Sequence, residues 1–200
     1  MNYLFLIILS YLIGAIPFSL IFAKLLKGID VRRAGSGNVG ATNTMVSAGK
    51  RAAALSALFD IAKGFAAVVA ARWLIGSDLA AVLAGLAAIL GHDFSVYLNF
   101  SGGKGVASTA GAILAVDPYA MFLVLLLYAL FLVLTRYLIL SSLLVLAALP
   151  FIFLFLKDGW PFFFFGLFSF LIGLYAHRDD IDRLRSGKEA KVGSALGRVI

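Results

Sequence analysis

Long apolar runs joined by short charged turns leave this chain few folds to choose from. Residues 2–26, 52–75, 119–135 and 137–156, and a Phe-rich stretch ending at Ala176, are almost wholly aliphatic or aromatic. Crossing about 30 Å of hydrocarbon takes roughly 20 helical residues, so each run reads as a membrane span. Two shorter apolar pieces, 79–91 and 105–116, complete a count of about seven transmembrane helices, some of them short. Apolar residues make up 62% of the 200 positions and charged ones only 14%, against about 25% charged in soluble domains; mean hydropathy is +1.03. The expected class is an all-α, polytopic integral membrane protein. The first 26 residues lack the basic start and small-residue cleavage site of a secretory signal and are read as the first span.

The charges fix an orientation. With the N-terminus outside and the C-terminus cytoplasmic, every basic residue of the 17 except Lys63, Arg72 and Lys157 falls on the cytoplasmic side, as the positive-inside rule requires. The domain plan is one transmembrane helical domain over 1–176, with a cytoplasmic loop at 27–51, and a basic cytoplasmic tail over 177–200. The net charge of +7 is explained by this topology, and no basic surface domain exists to bind nucleic acid. There is no cysteine, and His92 and His177 are the two histidines. Disulfides, thiolate metal sites and a cysteine nucleophile are therefore excluded, and neither a metal nor a cofactor is expected. The expected location is a membrane, with the chain integral to it.

Against this background the polar segment 35–43, GSGNVGATN, stands out. It precedes the span at 52–75, and a second glycine-rich segment, SGGKG at 101–105, opens the helix at 105–116. Glycine loops expose backbone N–H groups and admit close approach, and at a helix start they form an anion site. Lys104 adds a point charge suited to phosphate. Ser36, Asn38, Thr42 and Asn43 add donors for hydroxyls or phosphate oxygens. Neither segment is a nucleotide motif. Leu98 stands where a Walker loop needs glycine, Gly105 stands where it needs Ser or Thr, and Gly35–Gly40 follows no strand. By the charge count, both glycine segments, Arg136 and His177 emerge on one membrane face.

Six further positions carry charge, imidazole or hydroxyls where apolar residues dominate. Asp60 and Lys63 lie i,i+3 within a span and can pair; they mark either a site or a structural ion pair. His177, followed by Arg178, stands where the last span meets the cytoplasm, as proton carrier, phosphate donor or ordinary interfacial residue. His92 is read as a helix cap. Ser141 and Ser142 are expected to bond back to the preceding turn or to face substrate.

GSGNVGATN, then GGKGVAS, then HRDDIDRLRSGKE, with Asp60-x-x-Lys63-Gly64 between the first two, resemble the bacterial acyl-phosphate:glycerol-3-phosphate acyltransferase (PlsY) family over nearly the whole chain. The resemblance implies transfer of a fatty acyl group from acyl phosphate to the sn-1 hydroxyl of glycerol 3-phosphate. The products are lysophosphatidic acid and phosphate, and the step is the first acylation of phospholipid synthesis. The implied partners are those two substrates and membrane lipid, and the implied active site is at the cytoplasmic face. Carried across by position, His177 and Lys104 are the implied catalytic residues. Ser36, Gly37, Asn38, Gly40, Thr42, Asn43, Gly102, Gly103, Gly105, Ser108 and Ser142 are the implied substrate-binding ones, with Asp60, Lys63, Arg178 and Asp180 as further candidates. Three positions depart from the family pattern. Val46 stands where arginine is usual, so that Arg51 or Arg178 would have to replace its charge. Asp180 stands where asparagine is usual, and a carboxylate beside a phosphate repels it unless protonated or paired. Ile139 replaces a commonly polar residue. Two other readings stay open: a transporter of a phosphorylated or anionic solute, and a non-catalytic lipid-binding relative of the enzyme.

Overall fold

The computed structural model describes residues 2–193 and is all-helical, with no strand among them. Its helices are α1 (Tyr3–Ala15), α2 (Phe18–Lys27), α3 (Ala41–Ala48), α4 (Lys50–Ile75), α5 (Asp78–Asp93), α6 (Val106–Val116), α7 (Pro118–Thr135), α8 (Leu138–Leu156), α9 (Trp160–Ala176) and α10 (Arg178–Arg185). Five stretches are long and apolar enough to cross a membrane: Tyr3–Lys27, Lys50–Ile75, Asp78–Leu98, Pro118–Thr135 and Leu138–Leu156. The bent pair α9 and α10, at 63°, makes up to six. The seventh apolar piece, α6, has 11 residues and is too short to cross alone. The helix expected at 79–91 gains length through Asp93 and a 3-10 turn at Val96–Leu98. The expected tail runs on as α10, and its end, 194–200, lies outside the described residues.

The contacts divide the chain into two units, one ending at Val116 and the other beginning at Asp117. Within the first, α1 packs on α5, and α4 packs on α5 and α6. In lipid, helices associate through close backbone approach rather than through a hydrophobic driving force, which favours small residues. A Cβ on Gly14 would overlap the Ala88 backbone, and one on Gly91 the Tyr11 carbonyl. On the other seam, a Cβ on Gly64 would overlap the Ser108 carbonyl, and one on Gly111 the Ile61 carbonyl. Ala67, Ala71, Ala80, Ala84 and Ala88 fill the seams around Leu6. In the second unit α8 packs between α7 and α9, with Phe153 and Phe165 fully buried and ring centroids 5.7 Å apart. Tyr119, Val133 and Phe155 expose 77–86% of their surface, as lipid-facing residues do.

Pro17 breaks the first span. It has no N–H and ends α1 at Ala15, which frees carbonyls at that helix end. Side chains from other elements meet them: Lys63 Nζ donates to the Ile16 carbonyl at 3.0 Å, and Ser95 Oγ donates to the Ala15 carbonyl at 2.5 Å. Polar residues are thereby recruited into an apolar bundle at one depth.

Candidate active site

The first glycine segment does not lead directly into the span at 50–75, as its sequence position suggests. It opens α3, with Gly40 at the N-cap, and Gly49 at φ +89° separates α3 from α4. Asn43 organises the whole segment. Its side chain is 5% exposed. Its Oδ1 accepts from the Ser36 backbone N–H at 2.9 Å, and its Nδ2 donates to the carbonyls of Val31, Ala34 and Asn38 at 2.9–3.0 Å. Asn43 therefore shapes the loop with every polar atom it has. Ser36 and Thr42 are exposed, Gly37 and Asn38 half-buried. Upstream, Asp30 accepts hydrogen bonds from Arg32 at 2.6 and 2.9 Å, which hold its carboxyl well below the usual carboxylate range. The same pair raises the Arg32 guanidinium above its ordinary value.

The second glycine segment is folded back on the end of α5. Asn99 and Phe100 take left-handed conformations, φ 52° and 61°, an uncommon pairing for an aromatic residue. The chain then reverses, so that the Gly102 N–H donates to the Asp93 carbonyl and the Gly103 N–H to the His92 carbonyl, both at 3.0 Å. A Cβ on Gly103 would overlap His92 Nε2 and lie 2.8 Å from the Val39 carbonyl. Gly105, at φ +68°, would place a Cβ 2.8 Å from an Asp93 carboxyl oxygen. The two glycine segments, some 60 residues apart in sequence, thus touch each other at Val39 and Gly103, with the His92 ring beneath. Lys104 stands half-buried at the start of α6.

Below this junction lies a cluster of charges. Lys63 Nζ pairs with Asp60 Oδ1 at 2.7 Å, and His92 Nδ1 approaches the same oxygen at 3.4 Å; all three side chains are at most 7% exposed. The i,i+3 pairing expected for Asp60 and Lys63 is present. The expected capping role of His92 is not: its ring turns into the bundle towards α4 rather than back over its own helix end. A small cleft lies here, lined by Pro17, Val39, Asp60, Lys63, His92 and Gly102 among others. Ser108 stands apart from the loops, in the α4–α6 seam. It is 0% exposed, and its hydroxyl has no hydrogen-bond partner among the described residues.

The second unit carries the remaining candidates. His177 ends α9 and is 2% exposed; its Nδ1 lies 2.8 Å from the Gly173 carbonyl. A carbonyl can only accept, so Nδ1 carries a proton and, in the neutral ring, Nε2 carries the lone pair. Ser142 Oγ donates to the Leu138 carbonyl at 3.0 Å, and Ser141 Oγ donates to the Tyr137 carbonyl at 2.7 Å, the back-bonding common for hydroxyls in apolar helices. Asp180 is fully buried and paired with Arg183, which also bonds Glu189 at 3.0 Å. The carboxylate that replaces the usual asparagine is thus compensated from within α10. Arg178 is exposed and stacks on Tyr175, 4.5 Å from the ring centroid. Val46 is 54% exposed. Among the described residues no three His, Asp or Glu side chains are grouped to hold a metal ion.

The fold and its loops define a class: an integral membrane helical protein that lays two glycine loops against each other at a helix start. The glycerol-3-phosphate acyltransferase family profile matches residues 4–187, and the chain belongs to that family. It is 40% identical to the glycerol-3-phosphate acyltransferase of Syntrophomonas wolfei over 94% of this chain and 95% of that one. It is 43% identical to that of Thermosipho melanesiensis over 96% and 93%. A crystal structure of PlsY, an integral membrane glycerol 3-phosphate acyltransferase, in its glycerol 3-phosphate form superposes with a TM-score of 0.89 at 35% identity, over 96% of both chains. The lysophosphatidic acid form superposes at 0.88.

Proposed function

We propose that this protein transfers a fatty acyl group from acyl phosphate to the sn-1 hydroxyl of glycerol 3-phosphate, at the cytoplasmic face of a bacterial membrane. The contact of Val39 with Gly103 carries the reading. It joins two N–H-rich loops into one surface, and the PlsY structures of the same fold are in glycerol 3-phosphate and lysophosphatidic acid forms. The placement of the basic residues supports the cytoplasmic orientation.

An acyl phosphate is a mixed anhydride with a good leaving group and needs no enzyme nucleophile. The substrate hydroxyl oxygen attacks the acyl carbonyl carbon, the carbon–oxygen bond to phosphate breaks, and inorganic phosphate departs. The protein's tasks are to hold both phosphates and align the reactants, an effect worth up to roughly 7–11 kcal/mol in ideal cases. Backbone N–H groups in the first turn of α6 and the Lys104 ammonium stabilise charge on the carbonyl oxygen and the departing phosphate. Ser36, Asn38 and Thr42 offer donors on the first loop, while Asn43 and the glycines give that loop its shape. His177, whose Nδ1 lies 2.8 Å from the Gly173 carbonyl, either accepts the hydroxyl proton or holds the substrate phosphate that accepts it.

Purified protein in detergent, supplied with acyl phosphate and labelled glycerol 3-phosphate, is expected to release lysophosphatidic acid and phosphate in equal amounts. Binding without product refutes the enzymatic reading. In the same assay His177→Ala should lower turnover at least about 100-fold, within the range for loss of an acid–base group, and alter the dependence of rate on pH. An unchanged rate and profile remove His177 from the chemistry.

A further inference from the structure

Neither the acyl-transfer reading nor the motifs assign a task to the charges buried beneath the loops. Lys63, Asp60 and His92 form a chain that starts at the break in the first span and ends under the second glycine loop. Lys63 is fixed at one end by the Ile16 carbonyl and sits 5.7 Å from the centroid of the Phe18 ring. It holds Asp60 at 2.7 Å. His92 Nδ1 lies 3.4 Å from the same Asp60 oxygen. The far edge of that ring, at Nε2, occupies the space where a Gly103 side chain would stand, while the His92 carbonyl accepts the Gly103 N–H. An ion pair in an apolar bundle costs desolvation energy, and such residues are retained mainly where they serve a site.

We propose that Lys63, Asp60 and His92 are positioning residues for acyl transfer, a strut that sets the height and tilt of the Gly102–Gly103 backbone against Val39. Three observations support the assignment. Close approaches of 2.7–3.4 Å lead from the Ile16 carbonyl through Lys63 and Asp60 to His92, which abuts Gly103. His92 touches the loop with both its ring and its carbonyl. Val39 of the first loop closes on the same glycine, so a shift of the ring reaches both loops. None of the three side chains meets the reacting atoms; they act by fixing the Gly102–Gly103 turn, whose own N–H groups are bonded to the Asp93 and His92 carbonyls and which leads into Lys104 and the start of α6.

The assignment rests on the acyl-transfer reading only for its kinetic readout. Two variants of the full-length protein test it in detergent. Asp60→Asn removes the charge that orients the ring. His92→Asn keeps a donor near the Nδ1 position and vacates the space under Gly103, so it tests the last link even if Asp60→Asn does not fold. Both are expected to raise KM for acyl phosphate about tenfold while kcat changes less than about threefold. Hydrogen exchange should quicken in the segment 99–106 and stay at the wild-type rate in α2 and in the N-terminal half of α5. Activity loss that only follows the folded fraction, with KM and loop exchange as in wild type, overturns the strut. Should wild-type protein fail to acylate, the function reading falls and loop exchange alone decides the strut.

Discussion

At the scale of single residues, the polar atoms in the first loop divide into those that build it and those that are offered outward. Asn43 belongs to the first kind: four backbone partners surround one buried amide. Asn43→Ala should cost about 2–4 kcal/mol, since several buried backbone groups lose their partner at once. Thermal unfolding in detergent reads that loss, and an unchanged midpoint would return Asn43 to the role of substrate donor. Gly103→Ala places a methyl against His92 Nε2 and the Val39 carbonyl. Misplacement by about 1 Å near a reacting centre costs on the order of 100-fold, so kcat/KM should fall by that order while the protein still inserts. Both segments were legible as glycine-rich loops at helix starts from their glycine spacing and hydroxyl content. The division of labour was not, because Asn43 meets Val31 and Ala34 only once the chain has reversed at Gly35 and Gly37. The Asp30–Arg32 turn belongs to this scale too. Its carboxyl is depressed, so its contribution is present at neutral pH and is lost as pH falls through that lowered value.

Among the elements, α4 does the most to position the site. One face packs on α6 through Gly64 and Gly111, and another carries Asp60 and Lys63 towards the Pro17 break. Removing one partner of a buried pair leaves an uncompensated charge and costs about 3–5 kcal/mol, whereas replacing both is far milder. Lys63→Met should therefore unfold the protein more readily than Lys63→Met combined with Asp60→Leu, as read by melting temperature. Additive losses would show that the two charges do not depend on each other. The i,i+3 spacing made this pair visible in the sequence. Its third member was invisible there, because His92 comes from α5 and nothing local ties it to Asp60. The same limit hid the compensation of Asp180, whose partner Arg183 lies one turn on and reads in sequence as an ordinary surface charge. Ser108 is a related case. Its motif position was legible, but its burial beside α4 was not, because that depends on which face of α6 meets Gly64.

The whole molecule is a membrane protein whose apolar runs declare its class and whose basic residues argue its orientation. Helix number was legible down to the shortest piece, α6, which measures about 16 Å for its 11 residues and follows directly on the SGGKG loop. The division at Val116 and Asp117 was not legible, since the sequence there shows only an Asp-Pro helix start like other turns. The central claim is that the two glycine loops form one anion-binding surface open to the cytoplasm. The chain has no cysteine, so single thiols at positions 38 and 104 can be labelled without background in oriented vesicles. Membrane-impermeant reagent should modify both only from the cytoplasmic side, and inorganic phosphate should slow both reactions. Modification of the two positions from opposite sides of the membrane would contradict the account.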